Sequence, residues 1–201
     1  MVNNLHASSF TNQITNTMFQ DIRVNSEIAH LRKVIVHRPD EGIARVSPKR
    51  AEDLLFDDIV YLPQMQKEHD IFTTVLKTMI GVDNVLETED LLLEALAADE
   101  KQKQQIVAMI ADYEELPGIL KDRLLSMPVH QLKEVLITGY DQHEDYIYFD
   151  PIPNFIFTRD IAVVVNDHVV ITKAAKEARH RENFLTRFIF SAHALIEPLR
   201  A

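Results

Sequence analysis

Apolar and polar positions follow several distinct rhythms along this chain of 201 residues. The opening, residues 1–23, is polar and unpatterned and reads as a loose lead-in. LRKVIVHRP (31–39) then gathers β-branched residues at its centre and closes on Pro39, which predicts a short buried strand. SPKRAEDLLFDD (47–58) predicts a short helix with Ser47 as N-cap and Pro48 at the first helical position, where no N–H is needed. A clearer helix follows over 62–81. Pro63 opens it, Gly81 can adopt a left-handed terminating conformation, and Phe72, Val75, Leu76, Met79 and Ile80 make one apolar stripe. VDNVLET (82–88) reads as a strand, so this part of the chain is an α/β unit.

From about Thr88 to Gly139 the pattern turns helical. Asp90 to Ala97 is one helix, and another starts at Asp99, which can cap while Gln102 completes a capping box. Its inward face is Ile106, Val107, Ile110 and Tyr113, and Ile119, Leu120 and Leu124 continue the pattern beyond Pro117-Gly118. Pro128 opens a last helix that ends at Gly139, with Val129, Leu132, Val135 and Leu136 inward. DQHED (141–145) reads as a polar link. In DPIPNFIFTRD (150–160) Pro151 and Pro153 bias the residues before them to extended geometry, and 155–160 reads as a strand. IAVVVNDHVVIT (161–172) predicts a β-hairpin turning at Asn166-Asp167, both tolerant of the positive φ of a type I′ turn. Residues 173–195 read as a helix. The domain division expected is a lead-in (1–23), a first α/β segment (24–88), a helical insertion (89–140) and a second α/β segment (141–201) left incomplete at its C-terminal end.

Composition narrows the chemistry. At 46% hydrophobic and 26% charged, the chain can bury the core of one large or two small domains. A formal net charge of −10 disfavours nucleic acid and anionic membrane as partners, since both need clustered cations, and suits a cationic substrate. There is no cysteine, which removes disulfides, thiolate metal sites and a cysteine nucleophile from this chain. Apolar runs reach only four or five residues against the roughly 20 a bilayer span needs. With no signal-peptide pattern at the start, a cytoplasmic protein without a membrane partner is expected. The four glycines cannot assemble a dinucleotide, P-loop or nucleophile-elbow motif. The nine histidines include no H-E-x-x-H, and the groupings His143-Glu144-Asp145 and His180-x-Glu182 read as solvated. No metal and no cofactor is therefore expected.

Two acidic features stand out. Asp57-Asp58 closes a predicted helix, where acids oppose the macrodipole; the pair reads either as solvated or as acid/base machinery. Asp160 ends the predicted strand 155–160, whose alternation sets Asp160 with Ile156 and Thr158 and puts Phe157 on the other face. A carboxylate suits a guanidinium, whose forked donors meet two oxygens in parallel, while on residue type alone Asp160 also reads as a plain strand end.

The ordered set of motifs is specific. Arg32-Lys33-Val34-Ile35-Val36-His37-Arg38-Pro39, Leu54-Leu55-Phe56-Asp57-Asp58 and Glu68-His69-Asp70 precede Pro153-Asn154-x-x-Phe157-Thr158-Arg159-Asp160 and Ala178-Arg179-x-Arg181-Glu182. From about Asn25 to about His193 the chain resembles the N-terminal part of bacterial arginine deiminases, in the guanidino-group-modifying (amidinotransferase) superfamily. The resemblance implies an α/β fold, a partial α/β propeller of pentein-type ββαβ blades with an inserted α-helical subdomain. It implies hydrolysis of L-arginine to citrulline and ammonia without metal or organic cofactor, by a cysteine nucleophile and a histidine acid/base. Carried over by motif, Asp160 matches a guanidinium-binding aspartate, Phe157 an aromatic beside the substrate, and Asn154 and Arg179 groups at the amino-acid end; Asp57 is supporting only. Phe157 and Asp160 are three apart, so a flat strand would not aim both at one ligand, and a twist or bulge is expected.

The family's glutamate, histidine motif and cysteine lie farther along a longer chain. The expectation is a truncated protein that holds one side of an arginine site, lacks the nucleophile and is inactive alone. A homo-oligomer is compatible with it. The alternatives are a noncatalytic interaction protein, or descent from a related amidinotransferase or dimethylarginine hydrolase, against which the helical insertion argues.

Overall fold

A computed structural model of the chain describes residues 22–56 and 60–193. Strand β1 (Val34–Val36) lies parallel to β2 (Val85–Glu87), with Val34 opposite Val85 and Val36 opposite Glu87. A parallel pair requires a crossover, supplied here by α1 (Glu41–Ala44), α2 (Ala51–Leu54) and α3 (Leu62–Ile80). β1 is shorter than the run 31–39 because the chain leaves the sheet after Val36. His37 is buried against Asp40 (Nε2 to Oδ2, 2.8 Å), and Asp40 caps α1 by accepting from the Gly42 N–H. The Thr88 hydroxyl donates to the Val36 carbonyl (2.9 Å) and closes the sheet at that end.

The helix expected over 47–58 is only four residues long. Ser47 is not its cap: the Arg50 N–H returns to the Ser47 carbonyl at 2.9 Å, so Ser-Pro forms a turn ahead of the helix. α2 ends at Leu55, which is left-handed at φ 55°. Asp57 and Asp58 lie outside the described residues. α3 has the expected bounds, and Gly81 follows it at φ 91°. Its apolar stripe, however, does not face the core. Phe72, Val75 and Met79 are all more than half exposed, while Leu62 and Thr73 are its buried residues.

Four helices follow: α4 (Thr88–Ala98), α5 (Glu100–Tyr113), α6 (Gly118–Ser126) and α7 (Val129–Thr138). Asp99 caps α5 as expected, accepting from Lys101 N (2.8 Å) and Gln102 N (3.1 Å). Leu92, Leu96, Ile110, Leu124, Leu132 and Leu136 are fully buried in the main apolar core. Tyr113 and Ile119, placed in the inward pattern by sequence, are exposed. Gly139 ends α7 in the left-handed conformation, at φ 71°.

The segment 141–145 is more than a link. It turns between β3 (Tyr140–Asp141) and β4 (Tyr146–Ile147), an antiparallel pair of two residues each, too short for a periodic signal. The expected strand over 155–160 is absent. Pro153–Ile156 forms a 3-10 turn with Pro153 at its start, and α8 (Thr158–Ile161) follows directly. The expected hairpin is present as β5 (Ala162–Val165) and β6 (His168–Ile171), paired from Ala162–Ile171 to Val165–His168. Of its two turn residues only Asn166 has positive φ (55°), so the turn is not type I′. The last helix, α9 (His180–Ala192), starts well after residue 173, preceded by a 3-10 turn over Glu177–Arg179. Asn183 explains the delay: it accepts from Ala174 N and donates to the Thr172 carbonyl, both at 2.9 Å, and holds that stretch off the helix.

The described residues thus form a mixed α/β structure with three two-stranded sheets. One core cluster joins the helices α4–α7 to Ile152, Phe155 and Ile161 and to Leu185 and Ile189 of α9. A smaller cluster of Ile43, Val46, Leu54 and Phe56 packs against Ile156.

Candidate functional site

The stretch from Pro153 to Ile161 sits between the two clusters and is pinned at both ends. Phe155 is fully buried in the main core, and Ile156 turns the other way onto the smaller one. Asn154 is buried, and its Nδ2 donates to the Leu54 carbonyl (2.7 Å) at the end of α2. This bond ties the Leu-Leu-Phe motif to the Pro-Asn motif across the fold. The Thr158 hydroxyl donates to the Ile35 carbonyl (3.1 Å) and anchors α8 to the parallel sheet.

This geometry removes the difficulty that a strand would have posed. Phe157 stands at the N-cap of α8 and Asp160 in its first turn, with the Asp160 N–H donating to the Phe157 carbonyl at 2.9 Å. Residues three apart at a helix start are neighbours on one side, and both side chains are exposed. Helical winding, rather than a twist or bulge in a strand, brings them to one side.

Asp160 faces Arg179. Arg179 Nη1 donates to Asp160 Oδ2 at 3.1 Å, and the Asp160 carbonyl accepts from the Thr172 hydroxyl at 2.5 Å. Arg179 is held from behind by Glu182, three residues on at the start of α9. Nε donates to both carboxylate oxygens (3.2 and 3.0 Å) and Nη2 to Oε2 (2.9 Å). Burial opposes the charge on Arg179, yet Glu182 and Asp160 outweigh it and raise its pKa. Burial pushes the Glu182 carboxyl up to about 7, against the pull of Arg179. The turn Glu177–Arg179 packs on α2, so Asn154, Leu54 and Arg179 share one neighbourhood.

Arg181 of the Ala-Arg-x-Arg-Glu motif had no role assigned from sequence, and Glu182, read there with His180 as solvated, is buried instead. Glu182 backs Arg179. Arg181 is buried structure: its Nε donates to the Leu136 carbonyl (3.1 Å), Nη1 to Glu114 (2.5 Å) and Nη2 to the Asp150 carbonyl, and its guanidinium lies over the Phe149 ring at 4.2 Å. The signal for Glu182 was present as an Arg-Glu pair at i, i+3 on a helix start. For Arg181 none was present, since its partners are distant in sequence.

The site is an open wall. A cleft of about 480 Å³ lies elsewhere, between α3 and Arg38, where Arg38 and Asp70 make a bidentate pair (2.8 and 3.0 Å). That cleft has none of Asn154, Phe157, Asp160 or Arg179 in its lining, and its main apolar residues are Ile71 and Val75. Of the candidate residues, Asp160 and Arg179 are joined directly, with Glu182 behind them. Among the described residues no group of three or more His, Asp or Glu side chains is arranged to hold a metal ion. No helix among them is long and apolar enough to cross a membrane.

Asp160 and part of Arg179 reach the surface, while Glu182 is buried beneath them. The family model described as arginine deiminase matches residues 52–139 and 118–199, and the chain belongs to that family. It is 35% identical to the arginine deiminase of Limosilactobacillus fermentum, over 88% of this chain and 48% of that protein. With an arginine deiminase of Bacillus cereus the identity is 36%, over 90% of this chain and 48% of the relative. With that of Latilactobacillus sakei it is 35%, over 88% and 47%. The chain spans about half the length of the curated relatives it matches.

Proposed function

We propose that this chain is the part of an arginine deiminase that binds L-arginine, the whole enzyme converting L-arginine and water to L-citrulline and ammonia. The observation that carries this reading is the exposed Asp160 carboxylate, in the first turn of the helix that Phe157 precedes and already engaged with a guanidinium, that of Arg179. Arginine brings a guanidinium of the same shape, and bidentate carboxylate pairing is the strongest neutral-pH contact open to it. In this reading Asp160 takes the substrate guanidinium, Phe157 packs beside it, and Asn154 and Arg179 serve the amino-acid end. Asn154 acts through the backbone it fixes, because its amide already serves the Leu54 carbonyl.

The architecture that goes with this reading is a partial propeller of pentein-type blades, with 24–88 and 141–201 as frame and 89–140 as insertion. The compartment is the cytoplasm. The thiol nucleophile of the family's chemistry has no counterpart among these residues, since the chain holds no cysteine. Binding without turnover is therefore expected of this chain alone. Titration calorimetry with L-arginine, run beside a citrulline assay, tests both parts: heat of binding with no citrulline is expected, and citrulline production overturns the assignment of the chemistry to residues outside this chain.

A noncatalytic interaction protein is the second reading. The outward apolar face of α3 favours it, and a stable stoichiometric complex formed without any arginine binding would replace the first reading with this one.

A further inference from the structure

Arg179 is shared unequally by its two carboxylates. Glu182 receives three hydrogen bonds from Nε and Nη2, at 3.2, 3.0 and 2.9 Å, whereas Asp160 receives one from Nη1, at 3.1 Å. The Glu182 side chain is 1% exposed and that of Asp160 53%. The backbone at the buried end is braced as well: the Thr186 hydroxyl donates to the Glu182 carbonyl at 2.7 Å, and Asn183 bridges Thr172 and Ala174. One end of this group is buried and held by three hydrogen bonds; the other is half exposed and held by one.

We propose that Glu182 is a positioning residue of the arginine site: it fixes the Arg179 guanidinium by its Nε–Nη2 edge and reserves Nη1 for the carboxylate of the ligand. This rests on the assignment of Arg179 to the amino-acid end of L-arginine. A guanidinium has five N–H donors; with the Nε–Nη2 edge held by Glu182, those of Nη1 stay available outside that contact. Without ligand, Nη1 rests on Asp160. When arginine enters, its guanidinium takes Asp160 and its carboxylate takes Nη1, so one ion pair is exchanged for two. Asp160, as the exposed partner, is the side chain that swings, while the Glu182–Arg179 pair keeps its geometry. The charged groups that act on Glu182 are Arg179 on the preceding turn, Asp160 on α8 and Arg181 on α9 itself. A protonated Glu182 keeps one acceptor oxygen and loses the charge that holds Arg179, so the site loosens on the acid side.

Agmatine, which is L-arginine without its carboxylate, separates this role from a structural one. Calorimetry on the intact chain at pH 8 would compare both ligands for the parent protein and Glu182→Gln. The expected result is a roughly tenfold loss of arginine affinity in Glu182→Gln, the size of a lost charged hydrogen-bond set, with agmatine affinity unchanged. In the parent protein, with no substitution at all, the arginine-to-agmatine affinity ratio should fall between pH 8 and pH 6; in Glu182→Gln it should stay flat. Equal loss for both ligands, or a ratio that moves with neither substitution nor pH, overturns the proposal and leaves the arginine site standing. A parent protein that binds neither ligand overturns the arginine site itself, and this proposal with it.

Discussion

Glu182 is a buried acid whose ionisation works against folding. Its pKa in the folded chain is raised to about 7 from the ordinary glutamate value of 4.5, chiefly by burial. Between those values the folded state binds more proton than the unfolded state, so stability falls as pH rises. The loss is on the order of 3 kcal/mol across that window, the size a shift of this extent implies. Urea denaturation of the parent protein at pH 5 and pH 8 should show it as a component that Glu182→Gln lacks. Motif spacing in the sequence singles out Asp160, Phe157, Asn154 and Arg179 as candidates. It did not make the Asp160–Arg179 contact legible, because that depends on how α8 and the turn before α9 meet. Glu182 shows the reverse: the spacing to Arg179 was visible, whereas the burial that gives it weight was not.

At the scale of elements, the outcome turned on the competition between local pattern and long-range hydrogen bonds. The α3 bounds, the α5 cap and the β5–β6 hairpin were legible because Pro, Gly, Asp and β-branched residues state them locally. The segment 155–160 reads as a strand on its apolar residues. It winds instead because Asn154, Thr158 and Asp160 each bond to a different distant carbonyl or hydroxyl: Leu54, Ile35 and Thr172. The join between α7 and β3 is equally constrained. A Cβ on Gly139 would lie 2.0 Å from the Phe149 carbonyl oxygen, at a φ of 71° that disfavours side chains. Gly139→Ala should destabilise the chain by on the order of 3 kcal/mol, read as a lowered urea midpoint. Arg181 ties α9 to α5, α7 and the Phe149–Asp150 stretch, and burial lowers its pKa against the attraction of Glu114. Replacing it by Ala leaves Glu114 without its partner and should cost about 3–5 kcal/mol in the same assay.

For the whole molecule, the main core unites the helices with the site-bearing segment, so the wall that carries Asp160 is backed by packed structure. The outward face of α3 is different. Among the described residues, Ile71, Phe72, Val75 and Met79 on α3 are each more than half exposed and make an apolar face of the kind that marks an interaction surface. The helical period was legible in sequence, but which way the stripe points was not, because periodicity fixes a face and packing decides its direction. This face should drive concentration-dependent self-association in sedimentation velocity. Phe72→Ser with Met79→Gln should reduce it, changing stability by less than about 1 kcal/mol, since both side chains are already exposed. The site on α8 should be untouched by that change.

In the function proposed for this chain, everything depends on Asp160 receiving the guanidinium of L-arginine. Titration calorimetry of arginine into the parent chain and into Asp160→Asn tests it most directly, with thermal melting as a check on folding. The parent chain should bind, and Asp160→Asn should bind at least roughly tenfold more weakly at an unchanged melting temperature, because a charged pair becomes a neutral one. Equal affinity in the two proteins, or no binding by the parent chain, would contradict it.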